Sequence, residues 1–241
     1  MNTQNLSKEF LYQGFALILS IILVHAFYVS VVRPEAASII QEQQAMIEQD
    51  INYVPERSFY VIVRDFEQEA CFILMLWAFA IMTLKAQSSI NERRLLQEDL
   101  IPIREGQSIK PEDSKDFLRQ LENLPESKRQ LLLPRILMNG LKRFSTTKNV
   151  QDVSTSTHTM VESEADRLES ELSMIRYIAW AIPSIGFIGT VRGIGAALSL
   201  AHRAVDGDIS GVTQNLGVAF NSTFIALLIS IVIMFLVHQL Q

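Results

Sequence analysis

A chain of 241 residues that is 49% apolar, has a mean hydropathy of +0.20 and contains long stretches without charge reads as an integral membrane protein. Its formal charge of −5, with basic residues interleaved among acids as in Asn91-Glu-Arg-Arg and Glu126-Ser-Lys-Arg, excludes the basic footprint of a nucleic-acid binder. No Walker loop, HExxH, CxxC or Gly-x-Ser-x-Gly occurs, so the chain is not expected to be an enzyme, and the single Cys71 allows no intrachain disulfide.

The pattern predicts an all-α membrane protein with four transmembrane helices and a helical cytoplasmic segment between spans 2 and 3. Residues 1–10 are expected in the cytoplasm, and residues 11–32 form an uninterrupted first span of 22 residues. That run exceeds the apolar core of a signal peptide, and no small-x-small site precedes Arg33, so it is read as a helix. His25 within it is expected to pack. Residues 33–69 are expected as a periplasmic loop. The second span, residues 70–84, has only 15 residues between Glu69 and Lys85 and must cross with snorkelling flanks or by burial against other helices.

Residues 85–176 form the cytoplasmic segment. Lys85 to Leu100 extends the second span into water and ends near Pro102 and Gly106. A helix resumes after Pro111-Glu-Asp, with Phe117, Leu118, Leu121 and Leu124 at helical spacing, and Pro125 and Pro134 punctuate the stretch beyond. From Gln151 to Arg176, the residues Val153, Val161, Leu168, Leu172 and Ile175 make a narrow apolar stripe, expected to pack on the other cytoplasmic helices. The third span, residues 177–201, is broken only by Arg192. A turn over residues 202–211 carries Asp206 and Asp208, and the fourth span, residues 212–241, contains no Asp, Glu, Lys or Arg. Fifteen Lys and Arg residues lie between Lys85 and Arg176, whereas the 33–69 loop has three against eight acids, which places the middle segment and both termini in the cytoplasm.

The last two spans carry polar groups where lipid penalises them. Thr190 lies twelve residues before the 202–211 turn and Thr223 twelve after it, so both hydroxyls sit about 18 Å from the turn, near mid-membrane. Asn221 and Ser222 adjoin Thr223, and the four residues suggest a polar pathway. A lone membrane threonine would instead bond back to its own helix. Gly189 and Gly193 form a Gly-x-x-x-Gly pair, extended by Gly186 and Gly195, that favours close helix packing. Pro183 should kink the third span and free a carbonyl for a neighbour or water. Arg192 has two readings: snorkelling outward, or contact with a carboxylate or a lipid phosphate. No predicted span has an interior Asp or Glu, so a partner helix would have to supply the carboxylate that a cation-driven device needs.

These residues resemble the MotA/TolQ/ExbB proton-channel family. The third-span pattern Ala-Pro-x-x-Gly-x-x-Gly-Thr-Val-x-Gly is met by Pro183, Gly186, Gly189, Thr190, Val191 and Gly193. The fourth-span pattern Ala-Leu-x-x-Thr-x-x-Gly-Leu is met by Ala219 and Thr223, with Phe220 at the leucine position and Ala226 where glycine is usual. The resemblance covers about residues 165–240. It implies an inner-membrane ion-channel or motor subunit, a pentamer around two copies of an ExbD-, TolR- or MotB-like single-span partner whose membrane Asp faces the threonines. It implies no cofactor beyond the transported H+ or Na+, with the proton favoured, and four spans with both termini inside are most like MotA. The competing expectation is a non-conducting helical scaffold in which the glycines and hydroxyls only pack.

Overall fold

A computed structural model describes residues 3–49, 53, 56–102, 108–205 and 207–240; Gly106 and Asp206 lie outside the described residues. No strand occurs among the described residues, and four helices are long and apolar enough to cross a membrane. The chain divides into two compact units, one formed by residues up to Thr83 and from Met174 onward, the other by Leu84–Ser173.

The first unit holds the apolar helices. α1 (Thr3–Phe27) continues through a π-helical turn (Tyr28–Val32) into α2 (Arg33–Gln49), so the stretch expected to begin a loop at residue 33 is helical. Pro34 supplies the physical reason for the widened turn: it has no N–H for the Ser30 carbonyl, and just before it the Arg33 N–H reaches back five residues to the Tyr28 carbonyl. On α1, Leu11, Phe15, Ile18 and Ile22 recur at helical spacing and are exposed, as a lipid-facing stripe should be, while Ala16 and Ser20 are buried. A short α3 (Phe59–Val63) precedes α4 (Phe66–Leu95), whose Trp77 indole N–H donates to the Gln13 carbonyl of α1 at 2.9 Å.

The start of α4 corrects the sequence-based boundary at Ala70, which rests on reading the charges of Glu67 and Glu69 as the edge of an apolar span. In the fold both carboxylates lie in the first helical turn, almost fully buried, because basic side chains from other helices meet them. α9 (Ser173–Ser199) and α11 (Ser210–Leu240), with the short α10 (Ala201–Val205) between them, complete this unit.

The second unit is a polar helical assembly of α5 (Ser114–Glu122), α6 (Glu126–Arg129), α7 (Leu132–Thr147) and α8 (Val150–Glu171), together with the tail of α4. The Glu92 carboxylate accepts the Leu132 N–H at 2.9 and 3.0 Å and so satisfies a donor at the start of α7. Lys148 adopts the left-handed conformation after α7, and the Asn149 side chain caps α8 through the Gln151 and Asp152 N–H groups. The resulting helical hairpin is pinned by Arg135–Glu164 and by the two-bond Arg143–Asp152 fork. That fork holds the Asp152 carboxyl below the usual carboxylate range. The predicted stripe on α8 packs only in part, since Leu172 is buried but Val161 and Leu168 stand exposed on the protomer.

Candidate functional site

Small residues let α9 and α11 approach closely along an antiparallel seam. A Cβ placed on Gly186 would lie 2.5 Å from the Ala226 Cβ, one on Gly189 2.5 Å from the Ser222 Cβ, and one on Gly193 2.8 Å from the Ala219 Cβ. Gly195 differs: a Cβ there meets nothing within 4 Å, so it faces away from the seam it was expected to extend. Ala226, standing where the resemblance has glycine, is the residue that fills the space left by Gly186.

Pro183 frees the Ala179 carbonyl, which has no amide donor four residues on. Ser230 of α11 supplies the missing donor, its hydroxyl lying 3.0 Å from that oxygen. The proline therefore fastens the two helices as well as interrupting one of them.

Between these points the Thr190 and Thr223 hydroxyls hydrogen-bond directly to one another. Thr190 Oγ1 also lies 3.1 Å from the Ala219 carbonyl and 3.3 Å from the Gly186 carbonyl, and Thr223 Oγ1 lies 3.2 Å from the same Gly186 carbonyl. Both are half-buried. Ser222 is buried, donates to the Val218 carbonyl at 2.9 Å and lies 3.4 Å from the Gln68 amide nitrogen. Asn221 is half-buried and makes no side-chain hydrogen bond among the described residues, so it stands apart from the threonine pair.

Arg192 takes the carboxylate of its two readings. Its Nε and Nη2 donate to the two carboxylate oxygens of Glu67 at 2.6 and 2.8 Å, and Asp65 lies 3.8 Å from Nη2. Burial pushes the Asp65 carboxyl above its usual range, against the pull of Arg64 and Arg192. Glu69 accepts from Arg33 at 2.5 Å and lies 2.6 Å from the His25 Nδ1, so His25 makes a polar contact rather than only packing. Successive residues on a helix point about 100° apart. Glu67, Gln68 and Glu69 accordingly address three directions: Arg192 on α9, Ser222 on α11, and Arg33 with His25 on the first helices.

Sequence reasoning missed Glu67, Gln68 and Ser230. A signal existed for each: an intramembrane Arg needs a carboxylate, and a proline-freed carbonyl needs a donor.

A multi-pass, all-helical membrane protein with paired hydroxyls between two glycine-packed spans is the class that this architecture defines. Residues 128–241 match the model of the MotA/TolQ/ExbB proton channel family. No curated protein and no solved structure matches the chain. The family is one of ion channels rather than enzymes.

Proposed function

We propose that this chain is the channel subunit of a bacterial inner-membrane motor, with both termini cytoplasmic. In this reading a monovalent cation, the proton before sodium, passes the level of Thr190 and Thr223, neutralises the membrane Asp of a single-span partner dimer and lets that dimer step within a pentamer of this chain. The supporting observation is the Thr190–Thr223 pair, two hydroxyls held at one level across the α9–α11 seam. Members of the family generally form oligomeric complexes with single-span ExbD, TolR or MotB partners, which supports a partner of that kind. Ser222 and Asn221 are the additional polar groups beside the pair. Ser222 points toward Gln68 inside the subunit, which suits a role in positioning the pathway. Work would be delivered through the part of the partner outside the membrane.

One observation favours the rival scaffold reading: backbone carbonyls of the two helices lie within hydrogen-bond distance of both threonine hydroxyls. Thr190→Val and Thr223→Val separate the two readings, because valine keeps the shape and removes the oxygen. In proteoliposomes holding this chain and its partner, each variant is expected to lose most ion flux while native mass spectrometry still shows five copies with two of the partner. Flux at the wild-type level in both variants would reduce the threonines to packing groups. An Asp→Asn change in the partner's membrane segment should likewise stop flux and leave the assembly intact.

A further inference from the structure

We propose that Glu67 is a cation-binding carboxylate of this chain, and that Arg192 is its resident counter-charge, displaced when a monovalent cation arrives. The proposal rests on the ion-path reading and deepens it, since it places an exchangeable carboxylate in the channel subunit itself.

The two members of the pair are unequal. The Glu67 side chain is 10% exposed, whereas that of Arg192 is 50% exposed. The carboxylate is enclosed by the helices, whereas the guanidinium reaches the surface of the protomer. Burying a fixed carboxylate against a movable cation creates a site where another cation can compete, because the buried charge must always be neutralised.

The surroundings of Glu67 are short of donors. Two buried acceptor atoms, Asp65 Oδ2 just before α4 and Gln68 Oε1 in its first turn, have no hydrogen-bond partner among the described residues. Gln68 is fully buried, and its amide nitrogen spans the Ile62 carbonyl at 3.0 Å and the Ser222 hydroxyl at 3.4 Å, which leaves its oxygen unpaired. Unpaired buried oxygens are costly until a cation, or the water that it carries, meets them. A partly dehydrated cation needs such oxygens to replace its water. The other charges around Glu67 are Asp65 and Arg64 before α4 and Arg192 on α9, with Glu69, Arg33 and His25 as the next set along.

Position links this site to the hydroxyl pair. The Glu67 Cγ lies 3.1 Å, and the Ser222 Oγ 2.7 Å, from the point where a Gly189 Cβ would stand, so both side chains rest against the residue preceding Thr190. Arg192 follows Thr190 by two residues, about 3 Å of helix rise. A cation released from Glu67 therefore has Ser222 and then the threonine pair as its neighbouring oxygens.

The test uses the full-length chain purified in detergent without its partner, with NaCl compared against choline chloride at equal ionic strength and with acid titration followed by infrared difference spectroscopy of carboxyl groups. Arg192→Gln removes the competitor. It is expected to bind sodium about ten-fold more tightly than wild type in thermal-shift titration, or, if the proton is the cation, to gain on acidification a carboxyl band that wild type does not show. Either response should vanish in the Glu67→Gln/Arg192→Gln double variant, and Arg192→Lys, which keeps charge but loses the fork, should fall between wild type and Arg192→Gln. An Arg192→Gln protein showing neither a sodium response nor proton uptake dependent on Glu67 would overturn the proposal and leave the pair as a structural staple. If Arg192→Gln does not fold, Arg192→Lys decides by the same two readouts. Failure here leaves the motor reading to its threonine test, and a normal cation response with unimpaired threonine variants would overturn the motor reading alone.

Discussion

Two glycines, two residues apart on α9, should respond to alanine with opposite signs. At Gly193 the new Cβ would stand 2.8 Å from the Ala219 Cβ, the Ala219 backbone nitrogen and the Asn215 carbonyl oxygen. Two of those three atoms are backbone and cannot rotate aside. Relief then requires α9 and α11 to part, and the same seam holds Gly186 against Ala226 and the Thr190–Thr223 pair. Overpacking of this kind costs about 1–3 kcal/mol. At Gly195 the new Cβ meets nothing within 4 Å, so only the helix preference for alanine acts, worth up to about 1 kcal/mol in favour of the variant. The two variants should differ by about 2–4 kcal/mol in stability of the dissociated protomer, measured by SDS-titrated unfolding of the detergent-solubilised chain. Equal shifts in the two, or a neutral Gly193→Ala, would refute the assigned facing of α9.

Ser230→Ala strands the Ala179 carbonyl and should cost about 1–3 kcal/mol, whereas the Pro183→Ala/Ser230→Ala double variant regains an amide donor for that oxygen, so a double-mutant cycle should show strong coupling. Additive losses would mean that the serine is not serving the proline. Asp65 titrates in the opposite sense to a salt-bridged acid: its folded-state carboxyl lies above the unfolded value, so its contribution is fully present below the ordinary carboxylate range and is lost as pH rises through the folded value. Asp65→Asn should therefore stabilise the chain at neutral pH and lose that advantage on acidification; a pH-independent difference in melting temperature would count against it. For the exposed Arg143–Asp152 fork the sign reverses, since the folded Asp152 carboxyl is lowered. Its support of the α7–α8 hairpin should persist above the ordinary carboxylate range, fade as pH falls through the folded value and weaken with salt, as read by circular dichroism of wild type against Asp152→Asn.

The helices of the apolar half were legible because length without charge is itself the signal, and the meeting of Thr190 with Thr223 followed from counting residues to a turn. The features that the sequence concealed have a common cause. Reading spans by their charge-free length treats every Glu as an end, which cut α4 at Ala70 and hid the carboxylates of Glu67 and Glu69 that other helices neutralise. The end of the uncharged run at Arg33 reads as the end of a helix, yet a π-helical turn absorbs Pro34 and the helix runs on. The Val161 and Leu168 positions show the limit of periodicity, which reports that a face is apolar without saying whether the same chain covers it.

The segment matched to the channel family carries the hydroxyls and Arg192, and residues outside it carry the polar partners of Arg192 and Ser222. Thr190, Arg192, Ser222 and Thr223 lie within 128–241, while Glu67 and Gln68 lie far upstream of it. The first turn of a helix is a favourable place for such acids, since its exposed N–H groups and dipole stabilise negative charge. From that one turn, side chains 100° apart reach α9, α11 and the first helices, so a single structural element fixes the mutual register of all the spans. Substituting Gln68 should thus disturb the threonine pair without touching it, through Ser222, whereas substituting Glu69 should loosen the first helices and leave the α9–α11 seam in place.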